Sequence, residues 1–346
     1  MGTRKRRVSV IYFISKLVKW DDLRMEIISN PTQIDIKKAA QALKDGHLVA
    51  FPTETVYGLG ADATNKKAVS RVYSVKTRPI DHPLIVHISS INQLGKWARD
   101  IPKYAIKLAE EFWPGPMTLI LKRSEIAKDF ITGHQDTVGI RVPAHPVAFE
   151  FLSEFEKLGG SGVAAPSANM FGAVSPTNAN SVLEEIGGRL EKSDLIIDGG
   201  MCEIGIESTI LDCTGHVPNI LRSGYVLSEQ IDQLLGYSST QSKINNMRSS
   251  GHFERHYSPK ALILINQPPG VGDALIALSN IPTPKGSIRI CSPADTMEFA
   301  RQLYSSLRAA DNAGIKKIFI YLPKNIGIGT AIVDRIKKAS HNPEVY

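Results

Sequence analysis

Cysteine is scarce in this 346-residue chain: Cys202, Cys213 and Cys291 show no C-x-x-C spacing and no even count for a disulfide framework. A disulfide-stapled scaffold and a cysteine-rich zinc module are thereby excluded. The three thiols read as small buried residues in strands, in a chain suited to the reducing cytosol. The first apolar stretch, residues 8–18, is broken by Lys16 and falls far short of the ~20 residues that span a bilayer. No small-residue cleavage site follows it, so it is a poor signal peptide. Missing as well are the G-x-x-x-x-G-K-[ST] loop, H-E-x-x-H, G-x-S-x-G and the protein-kinase signatures, which excludes the usual ATP folds and the commonest hydrolase centres.

What is present is ordinary globular material, 42% hydrophobic and 22% charged, which excludes disorder, collagen and coiled coil. The length exceeds the ~250–300 residues at which one core stops growing, so two domains are expected. Lys plus Arg at 41 against Asp plus Glu at 34 gives +7, an excess that suits polyanions such as nucleotides or RNA. Four of those cations fall within Arg4 to Arg7, so the remaining chain is only mildly basic. The globular pattern starts directly after Met25, and residues 1–25 are expected to be an extension that is disordered or not translated.

From residue 34 the pattern alternates between helix and strand. Helices are predicted over 34–43, 66–75, 102–112, 146–155, 178–186 and 228–235, and strands over 48–51, 84–88, 117–121, 138–142, 163–165, 195–197 and 208–212. This predicts an α/β domain with a twisted mixed sheet flanked by helices over residues 26–236. Residues 236–250 are polar and aperiodic and read as linker. Strands over 262–265, 287–291 and 317–321 alternating with helices over 272–279, 295–310 and 330–339 predict a small parallel-sheet, Rossmann-like domain over 261–346.

Several segments carry chemistry. Thr53-Glu54-Thr55-Val56-Tyr57-Gly58 follows a strand and supplies hydroxyls, a carboxylate and glycine where open α/β sheets bind ligands; the same residues also suit a plain strand-to-helix turn. Lys76-Thr77-Arg78-Pro79 ends a predicted helix. Its two cations, at i and i+2, share no helix face, so they meet one ligand only if the helix has already ended. Such a pair grips a polyphosphate or is simply solvated. Ala165-Pro166-Ser167-Ala168-Asn169 and Ser175-Pro176-Thr177 offer small polar groups and free backbone N–H after a strand, as a phosphate cradle or as turns and caps. Arg141 and Arg222 each lie in or at the end of an apolar strand. A buried arginine needs an anion, either a ligand or an internal carboxylate. The glycines of Gly58-x-Gly60-x-x-Ala63 come too late after the strand for a dinucleotide fingerprint, and Gly327-x-Gly329 reads as helix packing.

Taken together, PTETVYGLG, KTRP, PLIVH, WPGPMTLIL, VGIRVPAHP, APSAN, SPT, ESTILD and ILRSG occur in one order, and that order resembles the YrdC family of threonylcarbamoyl-AMP synthases over residues 26–236. Gly251-His252-Phe253-Glu254-Arg255-His256-Tyr257-Ser258-Pro259 resembles the interdomain loop of the family's longer, two-domain form, within an expected linker and active-site loop over 237–260. It opens Ser250-Gly251-His252 where the family usually has Pro-Gly-Met, and Arg222 is followed by Ser223 where proline is frequent. Gly327-Ile328-Gly329, Arg335 and Lys337-Lys338-Ala339-Ser340 resemble that form's end.

The resemblance implies a cytoplasmic nucleotidyltransferase that joins L-threonine, bicarbonate and ATP into threonylcarbamoyl-AMP and pyrophosphate, with Mg²⁺. A tRNA threonylcarbamoyl transferase then uses the product, so tRNA is met indirectly and no membrane is involved. The signature Lys, Arg, Ser, Asn set falls on Lys76, Arg78, Ser167 and Asn169. By the same resemblance Thr53, His87, Arg141, the backbone near Ala165, and Ser208 hold threonine, with Arg141 on its carboxylate. ATP meets Lys76, Arg78, Thr137, Ser167, Asn169, Ser175, Arg222 and Tyr257, under a loop carrying His256 and Tyr257. Glu54, Asp198 and Glu207 are candidate outer-sphere acids, and no metal ligand is assigned. The competing reading is an RNA-binding module that uses a basic cleft without chemistry.

Overall fold

A computed structural model describes residues 26–240 and 256–340. The predicted extension, most of the linker and the front of the interdomain loop lie outside the described residues. The chain opens with β1 (Glu26–Ser29), α1 (Gln33–Lys44), β2 (Val49–Phe51), β3 (Gly58–Asp62), α2 (Lys66–Lys76) and β4 (Ile85–His87). After a 3₁₀ turn come α3 (Leu94–Trp97), α4 (Lys103–Phe112), β5 (Met117–Lys122), α5 (Asp129–Thr132), β6 (Thr137–Arg141), α6 (Pro146–Lys157) and β7 (Val163–Ala164). The first domain closes with α7 (Ala179–Ile186), β8 (Leu195–Asp198), β9 (Thr209–Asp212), β10 (Asn219–Arg222) and α8 (Ser228–Leu235). The second comprises β11 (Leu262–Ile265), β12 (Ala274–Ile276), β13 (Ile288–Cys291), α9 (Thr296–Asn312), β14 (Lys317–Ile320) and α10 (Ile328–Ser340).

The expected mixed sheet is there, ten strands in the order β1-β8-β2-β3-β7-β4-β6-β5-β9-β10. Its pairs β1/β8, β2/β8, β4/β6 and β5/β9 are parallel, and the rest antiparallel. Both faces are covered, and the run from Leu48 through β2 shows how: Leu48 and Ala50 enter one core layer, Val49 and Phe51 the other. The second layer is closed by α1 and α6 through Ile36, Ala39, Leu43, Phe151 and Phe155. Helix α1 starts where it does because Thr32 and Asp35 form a reciprocal capping box.

Three sequence expectations need correction. The segment after β2 does not lead directly into a helix, as the turn reading has it: Gly58–Asp62 forms a strand antiparallel to β2, each residue buried. Residues 272–279 are not a helix: Ala274–Ile276 forms β12, fully buried between β14 and β13 in the all-parallel order β11-β14-β12-β13. A short apolar run buried on both sides has no period to separate it from a helix. The β-α-β-α-β-α order therefore lacks its first crossover helix. Finally, Cys202 and Cys213 are buried but lie outside strands, whereas Cys291 ends β13 half-buried.

The two domains share a core. Val56, Val174 and Ile206 of the first pack with Tyr257, Phe299, Tyr304, Ile332 and Ile336 of the second. The backbones approach closely at Gly205, in the left-handed region at φ 78°, where a Cβ would stand 2.6 Å from the Arg301 Cα of α9.

Candidate active site

A cleft lies over the face of β4, β6 and β7. Thr53, Arg78, His87, Arg141, Ala165, Ser167, Ser208, Arg222 and His256 line it, all of them singled out in the sequence; Thr55, Ile85 and Glu207 line it too. Strands β4 and β6 run parallel, with Ile85 opposite Gly139 and His87 opposite Arg141, which gives the cleft two ends.

At the first end, α2 stops at Lys76 because Thr77 turns left-handed at φ 51°, and Pro79 prevents resumption. The helix has thus ended before Arg78, as a shared ligand requires. The Lys76 ammonium is buried and donates to the Ser167 carbonyl at 2.5 Å and to the Asn169 carbonyl. No carboxylate lies within ion-pair range of it among the described residues. Burial, reinforced by Arg78, pushes its pKa well below the ordinary 10.5 against the pull of Glu185. Arg78 donates to the carbonyls of His82 and Pro83, at 3.3 and 3.0 Å, and its guanidinium sits 5.7 Å from the Phe171 ring centroid. Burial lowers its pKa to about 10. Asn169 donates to the carbonyls of Met170 and Ala173, while its buried Oδ1 has no partner. An orphaned buried acceptor costs free energy unless a ligand or water meets it.

At the second end, Arg141 donates to Glu54 Oε1 at 2.7 Å, to Thr55 Oγ1 at 2.9 Å and to the Gly115 carbonyl at 3.2 Å. The other Glu54 oxygen accepts from the Ala144 N–H at 3.1 Å. The anion that a buried arginine demands is thus supplied in part by the chain itself. Thr53 Oγ1 is engaged locally, donating to the Val56 carbonyl and accepting from the N–H groups of Thr55 and Val56. His87 is buried with its Nδ1 unpartnered, and burial, then Arg141, depresses its pKa to about 3, which leaves a neutral imidazole. The N–H of Ala165 bonds the Ile85 carbonyl.

The remaining wall joins the two domains. Arg222 donates to the carbonyl and the hydroxyl of Ser208, both at 3.1 Å, and Ser208 Oγ shares a hydrogen bond with Thr118 at 2.8 Å. Ser175 donates to Glu207 at 2.6 Å. His256 lines the cleft, buried, with its pKa depressed to about 3 by burial. Tyr257 turns away into the shared core, stacked on Tyr304 with ring centroids 5.6 Å apart, its hydroxyl buried without a partner.

Of the expected residues, Lys76, Asn169, Ser175 and Tyr257 stand behind the cavity wall rather than among its lining residues, and Thr137 lies outside it as well. Thr137 shares a strand face with Gly139 and Arg141 but starts β6, about 13 Å along the strand from Arg141. It stands at the Arg78 end, beyond the lining residues. Glu54 and Glu207, expected as outer-sphere acids, are committed to Arg141 and to the domain seam, and Asp198 accepts from the Tyr57 hydroxyl and the Gly200 N–H. Tyr304 and Arg335 reach the cleft wall through Glu207, a placement the sequence pattern does not predict. Arg335 left a trace in the sequence, a charge on the apolar stripe Ile328, Ala331, Ile332, Ile336 and Ala339 of α10; Tyr304 left none.

A family model described as "Telomere recombination", for the Sua5, YciO and YrdC proteins, matches residues 41–224, and one described as "Threonylcarbamoyl-AMP synthase, C-terminal domain" matches residues 226–341. The threonylcarbamoyl-AMP synthase of Pyrococcus abyssi is 39% identical over 88% of this chain and 94% of its own length. That of Bacillus subtilis is 35% identical over 92% and 96%. The crystal structure of P. abyssi Sua5 complexed with L-threonine superposes with a TM-score of 0.82 at 35% identity, covering 92% of this chain and 97% of that one. Both halves of the chain thus match in order, in sequence and in fold, and the chain belongs to the Sua5/YrdC family of threonylcarbamoyl-AMP synthases, in its two-domain form.

Proposed function

We propose that the cleft binds L-threonine at its Arg141 end and ATP at its Lys76 end, and joins them through bicarbonate into threonylcarbamoyl-AMP and pyrophosphate. The observation that carries this is the buried Lys76 ammonium, held by backbone carbonyls alone, one of them that of the cleft-lining Ser167, with Arg78 and Arg222 lining the same cleft. Buried positive charge without a full complement of carboxylates is matched to a polyphosphate.

The threonine amine and bicarbonate give a carbamate and water. A carbamate oxygen then attacks the α-phosphorus, and the bond from that phosphorus to the bridging oxygen breaks, releasing pyrophosphate. Negative charge grows on the leaving phosphates, and Lys76, Arg78 and Arg222 are placed to stabilise it. Ser167, Asn169, Ser175 and Thr137 orient the nucleotide; Thr53, His87, Ala165 and Ser208 fix the amino acid, with Arg141 sharing its fork between Glu54 and the substrate carboxylate. Positioning supplies much of the rate. His256 and Tyr257 exclude water from a labile mixed anhydride.

Mg²⁺ fits as a metal carried in by ATP. The described residues contain no cluster of three metal-ligating side chains, and Glu54 and Glu207 are already engaged. Phosphate oxygens and water would hold it, and it would neutralise phosphate charge. The product carries an acyl carbon activated by AMP. A tRNA threonylcarbamoyl transferase consumes it, passing the group to an adenosine beside the anticodon. Free thiols at Cys202, Cys213 and Cys291 support a cytoplasmic setting. RNA binding without chemistry is disfavoured because Lys76, Arg78, Arg141 and Arg222 are all buried, whereas a polymer needs exposed cations.

The test is incubation with ATP, Mg²⁺, bicarbonate and L-threonine, reading threonylcarbamoyl-AMP and pyrophosphate by mass spectrometry. Threonine-dependent product is expected, with little from serine. Pyrophosphate release indifferent to threonine would overturn the substrate, and no turnover with RNA retained would favour the binding module.

A further inference from the structure

Glu207 is unusual in what its two oxygens do. Oε1 accepts from Ser175 of the first domain; Oε2 accepts from Tyr304 at 2.8 Å and from Arg335 Nε at 3.2 Å, both of the second. Burial alone would raise its pKa, but Arg335 and Arg222 outweigh burial and hold it at about 2. It also lines the cleft.

The two partners it takes from the second domain are those that hold Tyr257. That residue is not glycine, yet sits at φ 63°, a conformation that persists only where its surroundings impose it. Tyr304 stacks on its ring, and the Arg335 guanidinium lies 5.5 Å from its centroid. The neighbouring His256 N–H bonds the Lys338 carbonyl of α10. One face of α9 braces the contact at i, i+4 and i+8: Tyr304 on Glu207, Arg308 on Glu185 and the Val174 carbonyl, and Asn312 on Glu184.

We propose that Glu207 is a positioning residue for the nucleotide: by anchoring Tyr304 and Arg335 it holds the His256–Tyr257 strap over the cleft, and by anchoring Ser175 it sets the wall facing that strap. The small domain is then a brace for ATP binding, joined to the site through one carboxylate. This rests on the reading that the cleft takes ATP.

Calorimetric titration of the full chain with ATP, together with KM for ATP and for threonine, tests it. Glu207→Gln keeps the shape and removes the charge; it is expected to weaken ATP binding about ten- to a hundredfold, the size of a lost charged hydrogen bond, while KM for threonine stays within about twofold. The variant should also release AMP unmatched by product, because a loose strap admits water. Tyr304→Phe keeps the stacked ring and removes one donor, so a smaller loss of about two- to tenfold in ATP affinity is expected. Lower melting temperatures with unchanged ATP affinity would show Glu207 to be merely structural, and an equal loss for both substrates would also overturn the proposal. If Glu207→Gln does not fold, unchanged ATP affinity in Tyr304→Phe suffices to reject it. A wild-type chain that binds ATP but makes no product would sink the proposed function and leave the brace to be judged by the titrations.

Discussion

The two ends of the cleft handle buried positive charge in opposite ways. Arg141 is given a carboxylate by its own chain, Glu54 at 2.7 Å, together with a hydroxyl and a carbonyl. Lys76 is given two carbonyls and no carboxylate, and its pKa is driven down by burial. On the proposed reading, a charge partly compensated by its own chain suits a small zwitterion that shares it, and a charge without a carboxylate suits a polyphosphate that completes the electrostatics.

Removing Glu54 tests the first half of that contrast most severely. Glu54→Ala leaves a buried guanidinium without its counter-ion and is expected to cost about 3–5 kcal/mol of stability, read from the denaturant midpoint. Saturating L-threonine should return more stability to this variant than to the parent protein, because its carboxylate replaces the missing one. Equal gains would mean that Arg141 does not meet the amino acid.

Lys76→Ala should leave the fold intact and lower turnover about 10²–10³-fold, the usual loss on removing a donor to developing charge. Near-normal turnover would refute its role. The same residue predicts a pH signature of the unliganded protein. Its folded pKa lies below the ordinary 10.5, so between the two values the unfolded chain binds the proton and the native chain does not. Stability attributable to Lys76 therefore rises with pH through that window, at most about 1.4 kcal/mol per pH unit, and levels off above 10.5. Urea midpoints of the parent should climb relative to Lys76→Met as the pH is raised, and ATP should flatten the difference. Parallel curves without ATP would erase the contrast between the two ends.

Local signals carried far in this chain. The end of α2 at Lys76 followed from Pro79 and the requirement that Lys76 and Arg78 meet one ligand, and the helix–strand alternation of the first domain followed from periodicity. What stayed hidden was decided between distant residues. That Arg141 finds Glu54 depends on a contact across 87 positions, and the sequence offered ligand and internal carboxylate as equals. Strand β12 stays hidden because a three-residue apolar run buried between two neighbours has no polar face to reveal its period. The seam at Glu207 depends on α9 and α10 landing on the first domain, which no local propensity specifies.

The smallest expected effect concerns how far the nucleotide extends. Thr137 is half-buried and shares a face of β6 with Gly139 and Arg141. Between them Gly139 has no side chain, and the Ile85 and Thr118 side chains stand against the place a Cβ would take. Because β4 and β6 are parallel, Thr137 lies level with the segment that carries Pro83, whose carbonyl holds Arg78. On the proposed reading, a nucleotide with its phosphates at Lys76 and Arg78 would reach Thr137, whereas threonine at Arg141 would not. Thr137→Ala should raise KM for ATP about two- to tenfold, the size of one neutral hydrogen bond, and leave KM for threonine unchanged. An effect on threonine instead would reverse the order of the substrates along the cleft, and with it the meaning of its two unlike cations.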